Sequence, residues 1–348
     1  MQALVTGGAG FVGHHLVEFL LRHTDWHLHL PVTFRHRGRS ARLQHVLDST
    51  PDAWDRVHIL HHDLRARFSP DQLRELRECE VIFNVAAESH VDRSISDPAH
   101  FIESNTAMAV TVLELARIIQ PRLFLQVSTD EVYGAAALGH AHAEWESILP
   151  SNPYSASKAC QEAVAISYWR TYGVPLVLTN TMNIFGERQD REKFIPGAIR
   201  RVLAREPVIV HGQPGSVGSR FYLHAREQAA ALYYLANLRL KKGASALGDQ
   251  LIYRDDPSGG RVSKPPRFNV VGEREVANDE MARMIGAALG IEPVIHFEDF
   301  HATRPGHDRR YALNGSKLAS FGWTPSTTLE QNIHTTARWY AEHQEWLI

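Results

Sequence analysis

Two acids, two hydroxyls, a tyrosine and a lysine crowd one short region of this chain. Ser128-Thr129-Asp130-Glu131-Val132-Tyr133-Gly134 is followed by Tyr154-Ser155-Ala156-Ser157-Lys158, and the chain opens with the glycine loop Gly7-Gly8-Ala9-Gly10-Phe11-Val12-Gly13. The glycines permit a tight turn and let backbone N–H groups approach a dinucleotide pyrophosphate at the positive end of a helix. Tyr154 and Lys158 are four residues apart and on a helix share a face. A nearby ammonium and a nicotinamide charge both favour phenolate, moving the tyrosine toward base function near neutral pH. Adjacent carboxylates in a closed site tend to split their pKa values, so one of Asp130 and Glu131 can stay protonated as an acid while the other serves as a base. Together these groups can remove a hydride, a proton and a hydroxide from one substrate. Each has a bland reading: a structural glycine turn, a chance YxxxK, two solvated acids at a strand end. Their order and spacing along one chain favour the chemical reading.

The elements that must position them alternate strand and helix. Short apolar runs at 3–6, 28–34, 57–60, 81–85, 123–128 and 176–180 read as strands, and 11–23, 105–119 and 155–172 read as helices. Such alternation builds an α/β doubly wound parallel sheet of Rossmann type, with ligands at the carboxyl ends of the strands. Past about residue 186 the alternation weakens. Helices are expected at 194–205, 227–239, 278–289 (with Asn278 as cap), 316–321 and 329–344, and a loop-like insert at 255–266 precedes the run 268–271. The expected organisation is a dinucleotide-binding domain over 1–185, completed by strands from later in the chain, and a smaller substrate-binding lobe over 186–348.

Composition narrows the function. A net charge of −2 and the absence of a basic excess argue against a nucleic-acid surface. Only Cys79 and Cys160 are present, which leaves no disulfide framework or cysteine-ligated zinc. The 21 histidines are scattered, and pairs such as His61-His62 match no metal spacing of the HExxH kind, so no metal site is expected. With no targeting segment and no apolar run long enough to span a bilayer, a cytoplasmic enzyme without membrane contact is expected.

These residues resemble the extended short-chain dehydrogenase/reductase family, and within it the nucleotide-sugar 4,6-dehydratases of the dTDP-glucose type. The resemblance runs through the glycine loop, Ala86-Ala87-Glu88-Ser89-His90-Val91-Asp92-Arg93-Ser94, Thr129-Asp130-Glu131, Tyr154 to Lys158, Glu192-Lys193-Phe194-Ile195-Pro196 and Arg304-Pro305-Gly306-His307-Asp308-Arg309-Arg310-Tyr311. It implies that Tyr154, supported by Lys158 and Thr129, removes the sugar 4-hydroxyl proton while the C4 hydride moves to the nicotinamide. Glu131 then takes the C5 proton, Asp130 protonates the departing 6-hydroxyl, and the hydride returns to C6, leaving a 4-keto-6-deoxyhexose. It implies cofactor contacts at Ala86, Ala87, Ser89, Asn105 and Ser128 beside the glycine loop. Contacts to the sugar nucleotide, a dTDP- or UDP-hexose, fall at Ser89, His90, Asn183, Glu192, Lys193, Arg220, Asn269, Arg304 and His307. It also implies a homodimer paired through a four-helix bundle.

Three departures touch the ligand walls. No carboxylate follows the second strand, where an acid usually holds the adenosine ribose; Val32 stands there, and Arg35 or Arg37 could pair with a 2′-phosphate. NAD is the expected cofactor, with NADP possible, and Asp63 and Leu64 are placed beside the adenine. Asn183-Ile184-Phe185-Gly186 and Arg220-Phe221-Tyr222 replace the family's Asn-Asn-Tyr-Gly and Arg-Asp-Trp. Alternatives are a UDP-sugar epimerase, decarboxylase or 5,6-dehydratase, and a non-catalytic dinucleotide sensor.

Overall fold

The computed structural model describes residues 1–35, 38–247, 250–252, 262–299 and 308–348. Six strands alternate with helices: β1 (Gln2–Thr6), β2 (His27–Val32), β3 (Val57–His61), β4 (Cys79–Asn84), β5 (Leu123–Thr129) and β6 (Leu176–Thr181). With Arg267–Val270 they form a sheet in the order Arg267–Val270, β6, β5, β4, β1, β2, β3, in which every neighbouring pair is parallel. The fold is the expected doubly wound sheet. Its order reverses between β1 and β4, and there the strands' carboxyl ends part to leave a crevice. β5 is buried along its whole length, which is why it reads as an unbroken run and not as an alternation.

Local signals set the helix that carries Tyr154 and Lys158. Asn152 and Ser155 form a reciprocal capping box, Pro153 occupies the first turn, and Gly173 closes the Pro153–Tyr172 helix with φ +70°. The neighbouring helix runs from Pro98 to Ile119. It starts a full two turns earlier than expected because Asp97 caps it ahead of Pro98. The run read as a strand to residue 34 closes at Val32, and Phe34 adopts φ +50°. Asn278 is the first residue of the Asn278–Leu289 helix and caps nothing; its Oδ1 accepts from the Tyr222 hydroxyl at 2.8 Å. Of the insert, 255–261 lie outside the described residues, and Val262–Lys264 pairs antiparallel with Gln250–Ile252.

Two three-stranded sheets build the later part of the chain. One joins Glu275–Ala277, Ser219–His224 and Asn183–Phe185; the other joins Ile295–Glu298, Val208–Gln213 and Ser216–Val217. Ile195, Ile199, Met281, Ile285, Ile333 and Tyr340 form the core beneath them. The Ala225–Lys242 helix instead puts Leu232 and Leu235 into the core of the large sheet, together with Phe268.

Behind β5 and β6 lies a pair with no access to water. Arg267 and Glu162 are both fully buried and bonded to each other. Glu162 also accepts from Asn180 at 2.8 Å, and Asn180 donates to the Thr129 carbonyl at 3.0 Å. Arg267 donates to the Tyr133 hydroxyl at 3.1 Å and stacks 4.2 Å from the Trp145 ring. Removing one partner strands the other charge in a dry interior, so Glu162→Ala should lower unfolding free energy by about 3–5 kcal/mol in a denaturant titration. Arg74→Ala, which breaks a pair with Asp71 facing solvent, should leave the midpoint near wild type.

Candidate active site

The first helix, Phe11–His23, begins against β1 with a glycine cap and no acid in its first turn, so no side chain claims its leading amides. Gly10 N–H donates to the Gly7 carbonyl at 2.8 Å, and Gly7 holds φ +70°. A β-carbon on Gly13 would lie 2.0 Å from the Gly7 oxygen. The turn therefore has no room for a side chain, and backbone alone faces the crevice. From it a cavity of about 380 Å³ runs past Val32, Asp63 and Ala86 to Ser128, Asp130 and Tyr154. The Ser128 hydroxyl and Asp130 Oδ2 are buried in that wall without a hydrogen-bond partner among the described residues. A backbone-lined turn at one end and unsatisfied polar atoms at the other fit an extended dinucleotide followed by a hydroxylated substrate.

The chemical centre gathers where β5 ends. Thr129 Oγ1 donates to Asp130 Oδ1 at 2.9 Å, accepts from the Glu131 N–H at 3.3 Å and is bonded to the Tyr154 hydroxyl. Burial, reinforced by the Glu131 charge, pushes Asp130 up to about 7. Glu131 is also raised by burial, but Asn152 Nδ2 at 3.2 Å and the charges of Lys193 and Arg220 oppose that rise. Burial thus raises both acids, and only Glu131 has an amide donor and two cations opposing that rise.

The tyrosine differs from expectation. Burial first, then the Glu131 and Asp130 charges, push the Tyr154 phenol up, not down. Lys158 does not counter this, because its Nζ donates to the Val127 carbonyl at 2.9 Å and Gln161 Oε1 at 2.6 Å. Burial brings Lys158 down to about 8, with Glu162 one helical turn away opposing the fall. In the protein alone the phenol is a proton holder, and forming phenolate requires the positive charge that a bound ligand would bring.

Other expected residues divide by position. Gly7, Gly10, Phe11, Val12, Gly13, Arg35, Asp63, Leu64, Ala86, Ala87, Ser89, Asn183 and Lys193 line the same cavity as the catalytic set. Asn105 does not. Fully buried, it accepts from the Glu88 N–H at 2.7 Å and donates to Ser157 Oγ at 2.7 Å, clamping the cavity wall to the Tyr154 helix. Asn269 is likewise buried in its strand and donates to the His142 and Asn314 carbonyls. His90 and Glu192 pair at 3.4 Å outside the lining, with Arg93 also on Glu192. Arg220 donates to the Asp308 carbonyl at 2.7 Å and lies 4.8 Å over the Tyr311 ring. Asp63 is held down to about 2 chiefly by hydrogen bonds from Arg65, and Arg35 reaches it at 3.5 Å. Arg37, Arg304 and His307 lie outside the described residues. Sequence reasoning passed over Asn152, whose signal was an Asn-Pro pair opening a helix, and Gln161, for which there was none.

The model of the GDP-mannose 4,6 dehydratase family matches residues 4–336. The chain is 33% identical to the dTDP-glucose 4,6-dehydratase of Haemophilus influenzae, covering 98% of both chains. It superposes on the DesIV dTDP-glucose 4,6-dehydratase of Streptomyces venezuelae, solved with NAD bound, with TM-score 0.82 and 30% identity over 99% of this chain and 98% of that one. The UDP-glucose 4-epimerase of Thermus thermophilus in complex with NAD gives TM-score 0.78 and 26% identity over 98% and 99%.

The glycine turn is directly testable. A methyl forced against the Gly7 carbonyl costs about 1–3 kcal/mol, so Gly13→Ala should weaken NAD binding by roughly ten- to a hundredfold in calorimetry. Unchanged affinity would remove the turn from the binding site.

Proposed function

The chain belongs to the GDP-mannose 4,6 dehydratase family, nucleotide-sugar 4,6-dehydratases built as extended short-chain dehydrogenases/reductases, and we propose that its substrate is a dTDP-glucose-like hexose. The observation that carries this reading is the acid pair beside Tyr154. Interconverting the two C4 epimers needs no second acid and base, whereas elimination of water needs both. Asp130, pushed up to about 7, supplies the acid, and Glu131, held by Asn152 and facing Lys193 and Arg220, supplies the base.

The residues that would hold the cofactor are Gly7, Gly10, Phe11, Val12 and Gly13 at the diphosphate, Asp63 and Leu64 at the adenine end, and Ala86, Ala87, Ser89 and Ser128 along the wall. When bound, the nicotinamide supplies a hydride acceptor at C4 and a hydride donor at C6. Tyr154 takes the 4-hydroxyl proton, with Thr129 fixing its oxygen and Lys158 fixing the charge behind it. The ketone so formed acidifies the C5 hydrogen, which Glu131 removes. Asp130 delivers its proton to the 6-hydroxyl, and water leaves. Ser89, Asn183 and Lys193 contact the sugar nucleotide; His90, Glu192 and Arg220 bound its rim, while Asn105 supports the wall from behind.

NAD is the preferred cofactor in this reading, because Arg35 already faces Asp63 and the related structures hold NAD. The missing carboxylate after Val32 supports use of NADP as the second reading. The 1–185 and 186–348 division assigns the dinucleotide to the first part and mainly the sugar nucleotide to the second. Ile102, Val110 and Ile118 on one helix and Tyr172 on its neighbour are exposed, which supports a homodimer through a four-helix bundle. Among the described residues no helix is long and apolar enough to cross a membrane. A substrate and cofactor drawn from the cytoplasmic nucleotide pools support action in the cytoplasm.

With dTDP-glucose deuterated at C4, the label should appear in the new C6 methyl; label found only in solvent would sink the reading. Asp130→Asn should still oxidise C4, yet slow water loss by about 10²–10⁴-fold in single-turnover mass spectrometry. An acid must be protonated to act, so elimination should slow as pH rises through about 7. That limb should vanish in Asp130→Asn.

A further inference from the structure

Outside the cleft, three side chains turn their ligand atoms to one point on the segment between Gly134 and Asn152. Glu146 Oε2 lies 3.0 Å from His140 Nε2 and 2.7 Å from His142 Nδ1, and all three atoms are within 4.8 Å of one another. Among the described residues no other group of three or more His, Cys, Asp or Glu converges in this way. The spacing His140-x-His142-x3-Glu146 belongs to no helical metal motif, since the segment is irregular and folds back on itself.

We propose that His140, His142 and Glu146 form a binding site for a borderline divalent cation of the zinc class. Two imidazoles, one carboxylate and a solvent-facing fourth position are a donor set such an ion accepts. Tetrahedral bonds of about 2.0–2.1 Å put donors roughly 3.3 Å apart, so small ring rotations suffice. The ion would replace the protons now shared between the rings and Glu146 Oε2.

The donors are held from behind. The Ala143 N–H donates to Glu146 Oε1 at 2.8 Å, leaving Oε2 for the rings. His142 is fixed by its N–H on the Ala312 carbonyl at 2.9 Å, by Asn269 and Asn314 on its own carbonyl, and by a ring stacked 5.4 Å from Tyr133. Arg310 ties the His140 carbonyl to the later lobe. These bonds fix the backbone that carries the ligands, while His142 Nε2, the ring's other nitrogen, has no partner among the described residues. A bound ion would brace the segment joining the Thr129–Glu131 turn to the Tyr154 helix, a role separate from the dehydration chemistry.

The probe is Zn²⁺ alone, titrated into the metal-stripped full chain against a chromophoric chelator. One ion should bind per chain, and His140→Ala and Glu146→Gln should each weaken it at least about tenfold, as loss of even an outer-shell partner does. His58→Ala, which removes an exposed histidine bonded to Glu75, should bind as wild type does. Zn²⁺ should raise the thermal midpoint of wild type but not of His140→Ala, whose side chain is exposed enough to be lost without unfolding the chain. No stoichiometric binding, or equal affinity in wild type and both ligand variants, would overturn the site.

Discussion

A charge taken out of water must be met by another charge or by a full set of hydrogen bonds, and several such desolvated charges surround β5 and the Tyr154 helix. How completely each is met separates structure from chemistry. Glu162 has Arg267 and Asn180, and it holds the back of β5 and β6. Lys158 has the Val127 carbonyl and Gln161. Asp130, by contrast, has Thr129 on Oδ1, and its Oδ2 has no partner among the described residues. The incomplete member is the one whose proton is easiest to move near neutrality.

That gradient explains why the tyrosine reads differently in the fold than in the chain. Two carboxylates and burial hold the phenol neutral, while the lysine one turn away spends its donors on a carbonyl and an amide. A ligand carrying positive charge into the cavity would reverse the balance, since a desolvated site magnifies each charge that enters. Substrate and cofactor would then complete a network that the protein alone leaves open.

Behind the walls, buried polar side chains tie distant backbone together. Asn105 is buried and spends its amide on Glu88 and Ser157, whereas Asn269 donates to two carbonyls and keeps a buried Oδ1 with no partner among the described residues. Asp63 and Arg65 form a tight pair at the Val32 end of the cavity, where β2 itself ends without a carboxylate.

Much was legible beforehand because it is local. The glycine turn, the shared face of Tyr154 and Lys158, the helix stops at Gly173 and the alternation that makes a doubly wound sheet each depend on residues within a turn or two of one another. Boundaries failed where a cap outranked periodicity, as at Asp97, or where one left-handed residue ended a strand, as at Phe34. The tertiary structure alone decided which polar groups lose water, which amides face carbonyls distant in the chain, and that His140, His142 and Glu146 meet. The first two outcomes depend on crossovers that bring together segments far apart in the chain, and the third on an irregular loop whose backbone is held by Ala312, Asn314 and Asn269, contacts that no rule of spacing contains.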